Sequence, residues 1–410
     1  MEVAMKMQEK KTARQRKTTS WSKNAVQDVT TNVQPRKRLA FIDNLRVVLI
    51  ILVIAHHTAI TYGGPGSWYY TEPTQDAVTL FVFLIFCAVN QSFFMGFFFL
   101  ISGYFTPGSY DRKRAKSFFK GRLLRLGIPL LAYITVIDPV IRYVLVISLS
   151  GYDKPYWRFL HESITHMRGL GTGPLWFVET LLIFAGIYVL WRLFTMSSSL
   201  ESSTNPPGNT EIALFILLVG VSTFTVRIQL PIGWNFELLN LQFPYFPQYI
   251  ALFFIGTLAY RRNWFLTLPD SVGKTWGKIA LTGVVLLPVM GLLGGAFDGR
   301  ISLFYGGFHW QAFALALWES FVGIGICIGL LVLFREKYNH QNRLGRTLAD
   351  NVYTVFIIHA PVLVFCGLAL KNVNLYPLVK FALVTLVVVS LCFVISHYVV
   401  RRLPYTEKIL

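Results

Sequence analysis

Phe41-Ile42-Asp43-Asn44-Leu45-Arg46-Val47-Val48-Leu49-Ile50-Ile51-Leu52-Val53-Ile54-Ala55-His56-His57 is the stretch that decides the fold. Between its charged start and its paired histidines the chain is unbroken aliphatic sequence. The apolar run of which it is part, near 40–62, is long enough at about 1.5 Å per residue to cross a hydrocarbon core of about 30 Å. Similar runs recur near 77–104, 126–149, 174–194, 211–232, 246–260, 277–296, 310–334, 350–371 and 377–400. The sixth is short, and the second is long enough to tilt or kink. Only helices and closed barrels satisfy their backbone in lipid, and runs of this length are helices. The expectation is an all-α, polytopic membrane helix bundle of about ten transmembrane helices.

Composition agrees. The chain of 410 residues is 54% hydrophobic and only 14% charged, too little charge to cover a soluble domain of this size. Its net charge of +18 would suit nucleic acid, but the basic residues sit in one terminal segment and in alternate loops, so nucleic acid is not expected as a partner. Cys87, Cys327, Cys366 and Cys392 all lie in apolar runs without metal-ligand spacing and read as buried thiols, so no metal site is expected.

Loop charge sets the expected orientation. Arg112, Lys113, Arg114, Lys116, Lys120, Arg122 and Arg125 crowd one loop; Arg261 with Arg262, Arg335 with Lys337, Arg343 with Arg346, and Arg401 with Arg402 mark others on the same side. Loop 63–76 has Glu72 and Asp76 and no basic residue. The positive-inside rule then predicts both ends in the cytoplasm. Residues 1–38, with ten Lys/Arg against three acids and no apolar core, read as a disordered basic cytoplasmic tail rather than a signal peptide. Residues 39–401 form the expected membrane domain, and 402–410 a short cytoplasmic C-terminus. Ser197–Thr210 reads as a flexible inside linker.

Ionisable groups inside spans cost about 2.5–3.5 kcal/mol on insertion scales, so each needs a reason. Arg46 and His57 are eleven residues apart, which places them on one helix face about 16 Å apart. Asp43 lies a turn from Arg46 and can pair with it, and Arg46 alone also reads as a snorkelling anchor. His56 points about 100° away and reads as structural. Glu179, in Gly173-Pro174-Leu175-Trp176-Phe177-Val178-Glu179, starts the fourth span from the opposite side, at a depth where it can meet His57. Arg122 and Arg125, a turn apart before the third span, suit phosphate oxygens or serve as membrane anchors. His161 and His166 fall about 140° apart and do not form a zinc-protease pair. The glycines of 169–173 follow no strand, which excludes a dinucleotide fingerprint. Glu319 in the eighth span has no assigned partner, and Trp310 with Gln311 near the same span's outer end can line an acceptor site or belong to the aromatic belt at the interface.

These residues resemble the acyltransferase-3 family of membrane proteins over most of 37–400. Arg46 and His57 fit its arginine, ten residues, histidine pattern. Phe97-Phe98-Phe99-Leu100-Ile101-Ser102-Gly103-Tyr104-Phe105 is similar to its end-of-span-2 motif. Arg122 and Arg125 match its RxxR, Trp176 with Glu179 its tryptophan–glutamate motif, and Tyr353 through His359 and Pro361 its late tyrosine–histidine–proline motif. The run from Asp43 to Tyr70 looks closest to the prokaryotic glucan-succinylating branch.

The resemblance implies an acyl-CoA-dependent O-acyltransferase of the prokaryotic cytoplasmic membrane. It would move an acetyl or succinyl group from cytoplasmic acyl-CoA, a co-substrate rather than a bound cofactor, to a hydroxyl of a sugar or envelope glycan. His57 is the expected general base, Glu179 its orienting carboxylate, and Arg46 a group that orders the first span or holds the donor. Arg122 and Arg125 are the expected acyl-CoA site, with Asp43, Ser102, Trp176, Tyr353 and His359 in support. A transient acyl-histidine is the other chemical route. The same buried His, Glu and Arg also suit the proton relay of a secondary transporter, against which the lack of internal repeats counts. A bare membrane scaffold would need none of them.

Overall fold

The computed structural model describes residues 38–165, 171–195, 205–236, 239–404 and 406. The expected basic tail up to residue 37, the first part of the Ser197–Thr210 linker and most of the C-terminal segment lie outside the described residues. Helix dominates, and β pairing among the described residues is limited to one isolated bridge between Phe236 and Leu241. The chain builds α1 (Ala40–Thr61) and α2 (Ala77–Arg122), then α3 (Ile128–Ala132) and α4 (Asp138–Ser150). Wider π-helical turns over Leu123–Gly127 and Tyr133–Ile137 join α2, α3 and α4. There follow α5 (Tyr156–Thr165), α6 (Trp176–Phe194), α7 (Asn209–Gln229), α8 (Phe246–Arg261) and α9 (Trp264–Thr267). The last four are α10 (Asp270–Leu293), α11 (Trp310–Lys337), α12 (Arg343–Ala369) and α13 (Pro377–Tyr398).

Eight helical runs among the described residues are long and apolar enough to cross a membrane, and the protein is a multi-pass membrane protein. The second and third of the apolar runs fall within one continuous helical run, Ala77–Ser150, of 74 residues. That run is broken at Arg114, whose φ of 62° and ψ of 166° are not helical. The sixth apolar run is α8, with 16 residues, or about 24 Å at 1.5 Å per residue, short of a full crossing.

The packing is organised around α2, which lies against α8 most extensively and also against α11, α1 and α6. Lipid is as apolar as a leucine side chain, so helices gain by close approach rather than by hiding oily faces. Small residues make that approach. A Cβ on Gly103 would fall 2.1 Å from the Phe253 carbonyl oxygen, and one on Gly256 would fall 2.2 Å from the Leu100 carbonyl oxygen. The α2 and α8 backbones therefore touch at this crossing, with Phe97, Phe99 and Phe253 buried beside it. This is where Ser102-Gly103 of the second-span motif falls.

A second arrangement places the chemistry. The Asn44 side-chain amide donates to the carbonyls of Tyr338 (2.7 Å) and His340 (3.0 Å), in the turn just before α12. Farther along, His57 of α1 meets His359 of α12. The two helices thus start at the same end and run parallel, with their histidines at one depth. At the far end, Glu72 of the 62–76 loop pairs with the buried Lys380 of α13 at 2.5 Å, and Asp76 caps α2 while accepting from Tyr376 at 2.7 Å. The loop is held down on the bundle at both of these points.

Gly103→Ala forces the α2–α8 crossing apart and should lower stability by about 1–3 kcal/mol, the usual cost of overpacking. Gly127→Ala, where nothing lies within 4 Å of the added carbon, should leave it unchanged. Thermal unfolding of the two variants in one detergent checks this.

Candidate active site

His57 sits near the end of α1, partly buried, where the helix runs out into the 62–76 loop. Its Nδ1 lies 3.2 Å from Nε2 of His359, which is fully buried. His359 Nδ1 in turn lies 2.6 Å from the backbone carbonyl of Phe356. A carbonyl only accepts, so Nδ1 of His359 is the protonated nitrogen and its Nε2 is left with a lone pair. In the neutral pair that lone pair accepts from Nδ1–H of His57. Nε2 of His57 is then the unprotonated nitrogen, and it makes no hydrogen bond among the described residues. A backbone carbonyl three residues up α12 thus fixes which nitrogen of His57 is basic.

Trp68 completes the frame. Its ring stacks on His57 at 3.9 Å between centroids and 15° between planes. The imidazole is held by a π-stack on its face and a hydrogen bond on its edge, so it has little freedom to rotate. His56 points elsewhere: it is buried against Phe94 with ring centroids 5.0 Å apart.

Glu179 does not meet His57. The nitrogen expected to face that carboxylate is taken by His359, and the carboxylate's Oε2 is buried without a hydrogen-bond partner among the described residues. Residue spacing fixes depth along a span but not which neighbour the side chain faces, and α6 turns Glu179 away from the nitrogen that His359 occupies. Trp176, a turn before Glu179, stacks on Tyr249 at 5.7 Å, and Phe177 packs on Phe99 and on Phe356 beside His359. The Ser102 carbonyl accepts from Thr106 at 2.8 Å.

Arg122 ends α2, and Arg125 lies in the π-helical turn after it. The Arg122 guanidinium stands over Phe118 and reaches Thr106 Oγ1 at 3.4 Å. Arg125 lies over the Tyr353 ring at 5.9 Å, and the Tyr353 hydroxyl donates to the Arg125 carbonyl at 2.9 Å. The structure thus joins two of the sequence motifs. Tyr353 is six residues before His359, about 9 Å along α12, so one helix carries both the arginine contact and the imidazole pair. Arg46 pairs with Asp43 at 3.6 Å, eleven residues from His57 on α1.

Several ionisable groups escaped the sequence reading. Glu319 has a partner: Arg227 of α7, fully buried, lies 2.7 Å from it and over the Tyr245 ring at 5.0 Å. Asp138 and Arg142 of α4 pair at 2.7 Å, and Asp138 is also fully buried. Both arginines and Asp138 lie inside apolar runs, and the insertion-cost argument that singled out Arg46 and His57 would have found them. Trp310 is exposed, and Gln311 reaches the Gly294 carbonyl at 3.5 Å.

A multi-pass helical bundle that holds a fixed, open imidazole between its helices has the parts of a membrane transferase. The chain belongs to the family described as "Acyltransferase domain", whose model matches residues 39–397. It is 29% identical over 245 residues to the glucans biosynthesis protein C of Shigella dysenteriae serotype 1 (strain Sd197). It is 28% identical over 245 residues to the proteins of that name in Escherichia coli strains K12 and O1:K1 / APEC. Each match covers 56% of this chain and 60% of the relative, so the chain spans well under the full length of these relatives. No solved structure matches the chain.

The Arg227–Glu319 pair is fully enclosed on its arginine side, so removing one partner strands a buried charge. Arg227→Met should cost about 3–5 kcal/mol, and the double change with Glu319→Gln should recover much of it. Denaturation midpoints of the single and double variants measure the difference.

Proposed function

We propose that the chain transfers an acyl group, acetyl or succinyl, from cytoplasmic acyl-CoA to a hydroxyl of a sugar or glycan in the prokaryotic cytoplasmic membrane. The observation that carries the reading is the open Nε2 of His57, set as the basic nitrogen by His359 and the Phe356 carbonyl. The relatives' name supports a glucan as the acceptor.

The acceptor hydroxyl gives its proton to His57 Nε2 while its oxygen attacks the thioester carbonyl. Nδ1–H of His57 stays on His359 throughout, which shares the positive charge that forms on the ring. When the carbon–sulfur bond breaks, the CoA thiolate leaves and recovers that proton, so the imidazole ends neutral. Arg122 and Arg125 offer guanidinium donors to the phosphates of CoA. His359 takes the orienting role for which Glu179 was expected. Glu179, with an uncommitted oxygen, is left to bind a reactant hydroxyl, and Arg46 with Asp43 orders the start of α1. Ser102 and Trp176 support the walls.

A test is CoA release by detergent-purified protein from radiolabelled acetyl-CoA or succinyl-CoA, with and without a panel of glucose oligomers. His57→Ala should lose about 10²–10⁴ in rate, the span of a general base. His359→Gln keeps an acceptor for Nδ1–H and should lose less than His359→Ala. Unchanged release by His57→Ala would overturn the assignment of the base. Trapped acyl on His57 would replace direct transfer by a covalent route. Sugar counterflow without CoA would favour the transporter reading.

A further inference from the structure

Beyond the imidazole pair, the 62–76 loop leads into a polar cluster that the transfer step above does not use. Trp68 stacks on His57, and the ring of its neighbour Tyr69 lies 5.3 Å from Trp68. The Tyr69 hydroxyl donates to Asp138 and lies 3.1 Å from the Tyr133 hydroxyl. Burial above all, then Tyr133 and Asp138 nearby, pushes the Tyr69 hydroxyl far above its usual range, so it remains a donor. Asp138 also accepts from Arg142 Nε at 2.7 Å and from the Gly171 amide at 3.0 Å.

The fully buried carboxylate therefore has its lone pairs committed, and it holds the guanidinium by one edge. The side chain of Arg142 is 39% exposed and its Nη groups make no hydrogen bond among the described residues. With Asp138 beside it the pair carries no net charge. What it presents is a rigid fork of N–H donors without the pull of a free cation.

Orphaned polar atoms gather around the same place. Trp68 Nε1, Thr172 Oγ1 and Asn235 Oδ1 are buried without a hydrogen-bond partner among the described residues. Thr172 is only 6% exposed. Contacts tie them together. Thr172 lies between Gly171, bonded to Asp138, and Gly173, whose carbonyl accepts from Asn240 at 3.4 Å. Asn240 Oδ1 accepts from Asn235 at 2.6 Å. A Cβ on Gly173 would fall 2.3 Å from the Tyr69 hydroxyl, so only glycine brings this loop so close. Buried polar atoms nearly always have partners, and several orphans in one place mark a site completed by a ligand that both donates and accepts.

We infer that the Asp138–Arg142 pair with Tyr69, Trp68 and Thr172 forms the binding site for the acceptor, and that Arg142 selects it by donating to two neighbouring hydroxyl oxygens of a neutral sugar. The inference rests on the transfer reading above for its chemistry. A neutral fork suits hydroxyl oxygens, and the scattered donors and acceptors suit a polyol, whereas an anion would ask for uncompensated positive charge. The site lies on the far side of His57 from Arg122 and Arg125. The two reactants then approach the imidazole from opposite ends of the bundle.

The test follows acceptor dependence in the full chain. Arg142→Gln should raise the KM for a glucose oligomer about tenfold or more, as loss of one or two hydrogen bonds does. Arg142→Gln strands the Asp138 charge, so the double variant Asp138→Asn/Arg142→Gln, which removes both charges, is measured beside it, with thermal unfolding of each. Binding of the oligomer, and of the same oligomer O-methylated, is read separately by tryptophan fluorescence without CoA. Wild-type binding that methylation and either variant abolish supports the site even if no acyl transfer is seen, which would be a failure of the transfer reading alone. An unchanged acceptor KM and affinity in both folded variants would overturn the inference. So would an equal fall in CoA release with and without acceptor.

Discussion

Two backbones in contact, those of α2 and α8 at Gly103 and Gly256, set the frame on which the other helices are placed. Van der Waals packing and polar contacts hold a bundle in lipid, and both fall off steeply with distance. The same device brings α11 in, because a Cβ on Gly323 would fall 2.0 Å from the Ser92 carbonyl oxygen. With α2 gripped on two sides, α1 and α12 pack together beside it, and the depth at which their histidines meet follows.

The polar side chains of the spans fall into two kinds. Arg227 with Glu319 and Lys380 with Glu72 close on each other and tie helices or loops together. His57, Arg142 and Glu179 each keep a nitrogen or oxygen without a hydrogen-bond partner among the described residues. In a low-dielectric interior an uncommitted polar atom is costly, and folded chains keep few of them. Arg227 also keeps Nη atoms without a hydrogen-bond partner among the described residues but is fully enclosed, whereas Arg142 is 39% exposed, so the division between groups that hold the fold and groups available to a reactant follows reach as well as partners. It is drawn by contacts and not by residue type, since arginine and glutamate appear in both kinds.

Much of this was legible in the chain. The apolar run around 47–55 and its repeats predict an all-helical membrane bundle, because length and hydropathy alone settle which segments can span. The expected ion pair of Asp43 with Arg46 forms, since i and i+3 on a helix are neighbours whatever surrounds them. The partner of His57 was not legible, because the choice between Glu179 and His359 depends on how α6 and α12 are turned about their axes. Arg142 and Arg227 carried a signal that could have been used, a cation in an apolar run, but Trp68 carried none. It lies in a loop, and nothing in its local sequence says that the loop folds back over an imidazole.

Tyr353 and His359 share one uninterrupted stretch of α12, and this has a consequence for how the chain tolerates change over generations. A residue inserted into a surface loop is absorbed by slack. A residue inserted between positions 353 and 359 would advance everything beyond it by about 1.5 Å and turn it by about 100°. The tyrosine would keep its arginine while the imidazole swung away from α1. Variation in length among descendants of this gene should therefore collect in the loops and be purged from that short interval.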